Sequence, residues 1–421
     1  MTICADLRHV IYALSDALDL VGVDDVAHGK RVGIMASECG RVAGRSDPET
    51  SFLFDLGMLH DIGVSSTRTH RSLVETFDWD GSQVHCEVGH ALLKGFAPFH
   101  AMALPVRYHH TRWDKLVALD LPPQTRLDAN LIYLVDRVDA LAAPHYADNS
   151  LLLATDEIRA RLADHAGSYF APELVELFLE ASRTEAFWLM LEPRSVQARL
   201  LDLLAQGREY PAEAEDLKRL AVIFARIVDA KSPFTAEHSI GVARVARFLA
   251  ERLGVSAENC DKLEIAGLLH DLGKLRVPDE ILDKPGRLDT RERKIINTHS
   301  YETFQILRNI AGFEEITRWA AYHHEEPDGS GYPFHLKADA MPFEARILRV
   351  ADIFQAMVQI RPYRTGMSNE EVGGFIAGLA AEGRIDRGVA EVLLADLPAA
   401  RIAACPRCPE VPRDEAVAAT G

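Results

Sequence analysis

One short stretch is read twice in this chain and decides its fold: AGLLHDLG at Ala266–Gly273 and LGMLHDIG at Leu56–Gly63. Each is an apolar run of helical spacing that stops at His-Asp and is followed by a glycine. Reading outward, an offset of about 210 residues lays AVIFARIVDAKSPFTAEHSIGV (Ala221–Val242) over IYALSDALDLVGVDDVAHGKRV (Ile11–Val32), so that His238 falls on His28. Beyond the His-Asp pairs the offset widens, because the second copy carries extra residues around KPGRL (Lys284–Leu288). His299 then falls on His85, and His323–His324 on His109–His110. Further on, RILRVADIFQAM (Arg346–Met357) lies over LIYLVDRVDAL (Leu131–Leu141) and pairs Asp352 with Asp136.

The local patterns are helical, strand-like alternation is scarce, and proline and glycine punctuate Lys284–Gly286 and Pro327–Pro333 as loops. Two long copies make a duplicated domain, not a solenoid. The fold class expected is all-α, with an N-terminal domain over 1–185, a linker over 186–211 and a second domain over 212–421. Within the linker, Ser195–Leu204 reads as a connecting helix.

The 421 residues are 48% apolar and 26% charged, the balance of a globular protein. No apolar run approaches the ~20 residues of a membrane span, and Met1–Asp6 has no basic stretch leading an apolar one, so a cytoplasmic location without membrane contact is expected. A net charge of −17 argues against a DNA or RNA polymer as partner. An anionic small molecule would need local positive charge, from metal ions or a few placed cations. Six scattered cysteines form no disulfide framework. Homo-oligomerisation is left open.

The second copy collects His238, His270, Asp271, His299, His323, His324 and Asp352. A single histidine on an apolar helix is ordinarily a satisfied core residue, whereas seven ligand-type residues recurring in order in two copies point to metal. Neighbours on a helix point ~100° apart, so His270 and Asp271 can serve two adjacent ions with the carboxylate between them. His323 and His324 can be divided in the same way. Imidazoles mixed with carboxylates suit iron or manganese better than magnesium. Two such ions can generate a hydroxide and clamp both oxygens of a displacement at phosphorus.

The order H…HD…H…HH…D resembles the HD phosphohydrolase superfamily, and HHEEPDGSGYP (His323–Pro333) looks like the signature of its HD-GYP branch. HDLGK (His270–Lys274), KPGRL and RPYR (Arg361–Arg364) fit the same branch, over roughly Arg219–Leu397. The resemblance implies hydrolysis of a cyclic dinucleotide, cyclic di-GMP first and cyclic GMP–AMP as the alternative, at a di-iron or di-manganese centre. A receptor that binds the dinucleotide without turnover is the competing class. By resemblance, the seven residues above are the metal ligands and Asp271 is the bridging one. Lys274 would hold the scissile phosphate, and Arg361 and Arg364 the second phosphate or a guanine. Gly331 would let backbone approach the ligand, and Tyr332 would touch a base or phosphate. Phe234 stands where some members carry a glutamate that recruits a third metal, so two ions are expected. Gln355 stands where an aspartate is common.

The first copy keeps a matching set, His28, His60, Asp61, His85, His109, His110 and Asp136, with His90 a competitor for His85. It lacks the substrate apparatus. Val64 replaces the lysine, TRWDKL (Thr111–Leu116) replaces the GYP loop, and APHYAD (Ala143–Asp148) follows where RPYR would. A metal-bearing regulatory or dimerising domain, a hydrolase for another ester, and a structural relic are the three readings open.

Overall fold

Ser46 opens the helix that leads to the first His-Asp pair. It forms a capping box with Glu49, its backbone nitrogen donating to Glu49 Oε2 at 2.9 Å, which satisfies amides that a helix start leaves unpaired. Ser256 opens the matching helix, its hydroxyl accepting from Asn259 N at 3.2 Å. The two helices, Asp47–Leu59 and Ala257–Leu269, have the same length and both end where the histidine begins the turn. Their last turns bury Leu56, Met58 and Leu59 in one copy and Leu268 and Leu269 in the other. Each such side chain contributes about 1.5–3 kcal/mol of transfer free energy.

The computed structural model describes residues 2–22, 27–75, 77, 79–148, 150–205, 209–231, 237–359 and 366–405. In the N-terminal half its main elements are β1 (Thr2–Asp6), α1 (Leu7–Asp19), α2 (His28–Val42), α3 (Asp47–Leu59), α4 (Thr67–Glu75), α5 (Gln83–Leu93), α6 (His100–Tyr108) and α7 (Pro123–Ala142). After α8 (Pro193–Ala205) and β2 (Glu209–Glu213) come α9 (Ala214–Asp229), α10 (His238–Arg252), α11 (Ala257–Leu269), α12 (His299–Leu307), α13 (Glu314–Ala321) and α14 (Phe343–Val358). Helices α1, α2, α3, α5, α6 and α7 thus recur as α9 to α14, at the spacing the repeat dictates. The fold is all-α, and α8 contains the expected connecting helix. Phe187 and Trp188, which fall in the expected linker, are buried against Phe178 of the N-terminal half.

A ribbon departs from the helical expectation. β1 and β2 pair antiparallel, Thr2 opposite Glu213 and Asp6 opposite Glu209. A second junction joins the halves beside the two His-Asp turns. Asp279, from the second half, accepts from Ser66 Oγ at 2.8 Å and from Thr67 N and Arg68 N at 3.3 Å, so it caps the start of α4 in the first half. Lys231 Nζ lies 3.2 Å from Asp279 Oδ1 and donates to Ser65 O at 3.3 Å. Both charges are buried. No helix among the described residues is long and apolar enough to cross a membrane.

Candidate metal centre

Three histidines of the second half are aimed by their own helix ends. The Nδ1 atoms of His270, His299 and His323 bond the carbonyls three residues back, Gly267, Ile296 and Ala320, at 2.8, 2.6 and 2.6 Å. That fixes each ring with Nε2 facing inward. Gly273 lets α12 approach: a Cβ there would lie 2.0 Å from His299 O. Thr303 fastens the contact, accepting from Gly273 N at 2.9 Å and donating to His270 O at 3.1 Å.

Asp271 stands at the middle, its two oxygens facing opposite ways. Oδ2 lies 3.3 Å from His270 Nε2 and 3.7 Å from His238 Nε2. Oδ1 lies 3.5 Å from His299 Nε2 and 3.9 Å from His323 Nε2. Asp352 Oδ1 joins the first set, 3.3 Å from His238 Nε2. Among the described residues the donors fall into His238–His270–Asp352 and His299–His323–His324, with a third group, His270–Asp271–His323, spanning the two. His323 stands beside His299 and His324 and is also within reach of His270 and Asp271, whereas His324 is grouped with His299 and His323 alone. Donors ~3–4 Å apart can enclose an ion at the ~2.0–2.2 Å of nitrogen and oxygen ligands.

His270 Nε2 and Asp271 Oδ1 are buried without a hydrogen-bond partner. Orphaned polar atoms of this kind are costly, and a cation between them would satisfy both. Burial pushes His299 down to about 4, and holds His323 and His324 well below the ordinary imidazole value, so they are neutral and ready to ligate. Burial alone would raise the Asp271 carboxyl, but His270 and Lys274 hold it well below the usual range. The clustered imidazoles and carboxylates are a donor set fit to hold metal.

Lys274 Nζ reaches Asp271 Oδ2 at 2.5 Å from the turn after the helix. Tyr332 stacks on His324 with ring centroids 4.8 Å apart. Gly331 sits where a Cβ would lie 2.2 Å from Glu326 N. Arg361, Arg364 and Phe234 lie outside the described residues. Several supporting residues were missed by sequence reasoning. Gln359 Oε1 lies 3.3 Å from His238 Nδ1. Glu325 accepts from Phe334 N at 2.6 Å and Leu336 N at 2.8 Å, pinning the loop that carries Tyr332. Both glutamates of HHEEPDGSGYP were visible as charges in a motif otherwise rich in turn residues.

The first half repeats the arrangement. Asp61 Oδ1 faces His85 Nε2 at 3.2 Å and His109 Nε2 at 3.6 Å, while Oδ2 faces His28 and His60 at 3.8 and 3.6 Å. Asp136 Oδ1 lies 3.4 Å from His28 Nε2, and His110 joins the His85–His109 group. His90 is directed instead to Ala103 O, at 3.1 Å. His28 Nδ1 bonds Asp139 Oδ2 at 2.8 Å, and Arg31 Nε pairs with the same carboxylate. The repeat lays Arg31 and Asp139 on Gly241 and Gln355, neither of which is charged.

Residues 222–389 match the family model described as HD domain. The chain is 37% identical to the 3′3′-cGAMP-specific phosphodiesterase 1 of Vibrio cholerae serotype O1, over 92% of this chain and 91% of that one. It is 33% identical to a cyclic di-GMP phosphodiesterase response regulator of Xanthomonas campestris pv. campestris, over 60% of this chain and 71% of that one. A crystal structure of a cyclic GMP-AMP specific phosphodiesterase of V. cholerae is similar throughout, with a TM-score of 0.63, 25% identity, and coverage of 94% of this chain and 98% of that one.

Proposed function

This chain belongs to the HD-GYP family of cyclic-dinucleotide phosphodiesterases, and from that premise we propose that its C-terminal half hydrolyses a cyclic dinucleotide at a two-ion centre of iron or manganese. The observation that carries the reading is the division of Asp271's two oxygens between two sets of buried histidines. His238, His270 and Asp352 would hold one ion and His299, His323 and His324 the other, with Asp271 common to both. Ions held by these residues would supply Lewis acidity for the displacement at phosphorus. Lys274, already beside the shared carboxylate, puts a fixed positive charge where the scissile phosphate must lie. Tyr332, backed by His324, offers a ring face and a hydroxyl to base or phosphate, and Gly331 keeps the backbone there close. Arg361 and Arg364 are assigned to the second phosphate or a guanine, through the planar fork of the guanidinium. The domain division stays at 1–185, 186–211 and 212–421, and a cytoplasmic location belongs to the same reading.

Cyclic di-GMP is the first substrate reading. Cyclic GMP–AMP draws on a specific observation: the relative matched along both halves bears that specificity in its name, while the cyclic di-GMP relative above matches less of the chain. The complete donor set and Lys274 disfavour a receptor without turnover. The deciding experiment incubates the metal-reconstituted full chain with cyclic di-GMP, 3′3′-cyclic GMP–AMP and cyclic di-AMP, and identifies products by chromatography. Linear dinucleotide or mononucleotides from a guanine-containing substrate are expected. Tight binding of all three without product would replace the enzyme by the receptor.

A further inference from the structure

The first half has the donors but a different enclosure. His110 and Asp136 are 7% and 2% exposed, whereas their counterparts His324 and Asp352 are half-buried. The ring of Tyr133 lies 5.1 Å from His110, and Arg137 Nη2 pairs with Asp136 Oδ2 at 2.9 Å. In place of the GYP loop, Trp113 N and Asp114 N bond Tyr169 O and Ser168 O at 2.9 and 3.0 Å, folding that segment onto its own half. On the other side, α4 brings His70 to 6.5 Å from His28. The space beside His28, His60 and His70 is about 20 Å³, enough for one water and far too small for a nucleotide.

Within this enclosure one group of donors is tighter than its counterpart. His85 Nε2 lies 3.2 Å from both Asp61 Oδ1 and His109 Nε2, and His109 Nε2 lies 3.6 Å from Asp61 Oδ1. A tetrahedron with metal–ligand bonds of ~2.0–2.1 Å has edges of ~3.3–3.4 Å. Together with His110, the four donor atoms lie within 4.8 Å of one another. Asp61 Oδ1 is buried and has no hydrogen-bond partner. Cys86 adds a soft atom 3.7 Å from His85 Nε2, where the second copy has Ser300.

We propose that Asp61, His85, His109 and His110 form a closed, four-coordinate site for a zinc-type ion that supports the fold and does not hydrolyse the dinucleotide. Four protein donors with no open position are the arrangement of structural zinc. Solvent-poor walls make exchange slow, and Val64 leaves no ammonium to meet a phosphate.

Cobalt(II) is the probe, because tetrahedral cobalt absorbs visible light far more strongly than six-coordinate cobalt. The metal-free full chain, and its Asp61→Asn and Asp271→Asn variants, are titrated with cobalt(II) and then challenged with a chelator. In the parent chain, one equivalent should give the intense band and leave slowly. Asp61→Asn should lose the band and the slow phase but keep dinucleotide hydrolysis. Asp271→Asn should keep both and lose hydrolysis. Should Asp61→Asn fail to fold, His110→Gln takes its place, with the band and slow phase lost or much weakened. A band retained in the N-terminal variant that folds, or abolished by Asp271→Asn, overturns the proposal. So does the absence of any intense band at saturation. Failure of the hydrolytic reading would appear separately, as no turnover by the parent chain.

Discussion

At the scale of single residues, Lys274 separates the two centres most sharply. It touches Asp271 in one, and its counterpart Val64 is apolar. Lys274→Ala should lower kcat by ~10²–10³, the usual cost of one electrostatic stabiliser, while elemental analysis finds the metal content unchanged. Asp271→Asn should lose both. Equal metal loss in the two variants would make Lys274 part of the metal site. Gly331→Ala should raise KM more than it lowers kcat, because the new Cβ pushes the Tyr332 loop off Glu326 and leaves the metal ligands in place. Steady-state kinetics with the hydrolysed dinucleotide decide this. The fourteen ligand-type residues were legible in the sequence because histidine and aspartate recur there at matched spacing. Gln359, and the exchange of Arg31–Asp139 for Gly241–Gln355, were not. They act across more than a hundred residues of sequence, and their residue types change between the copies.

Among the elements, helix α4 shows what a repeat conceals. It lies where the copies diverge in length, and its first amides are capped by Asp279 from the other half. Burial would raise the Asp279 carboxyl, yet Lys231 and the donors on Ser66, Arg68 and Thr67 hold it below the ordinary range. A depressed carboxyl adds stability above its unfolded value of ~3.9, and that part is lost as pH falls through the lower folded value. Asp279→Ala should destabilise by about 3–5 kcal/mol at neutral pH, since it strands the buried Lys231. The gap to the parent should shrink below pH ~4. Denaturant melts of both metal-free chains across pH 3–7 check this, and a gap independent of pH would remove Asp279 from the account. The ribbon was equally hidden. TICAD and EYPAE are five-residue segments without clean alternation, one with proline, and nothing local marks them as strands.

For the whole molecule, the apolar core forms one cluster with members from both halves, reinforced by the ribbon and the Asp279 junction. Calorimetry of the metal-loaded full chain should therefore show one cooperative transition, moved to lower temperature by a chelator because bound ions stabilise only the folded state. Two well-separated transitions would mean the halves fold independently. The all-helical class and the order of the paired helices were readable from the repeat, because helical spacing is a local property. How the copies join was not, since that depends on contacts each copy makes with the other. β1 and β2 hold the same place, each leading directly into the first helix of its copy, and they pair with each other. A contact made by one segment with its own counterpart is isologous, the kind that closes a two-fold dimer. The pairing of β1 with β2 thus has the form of a two-fold contact, made here within a single chain.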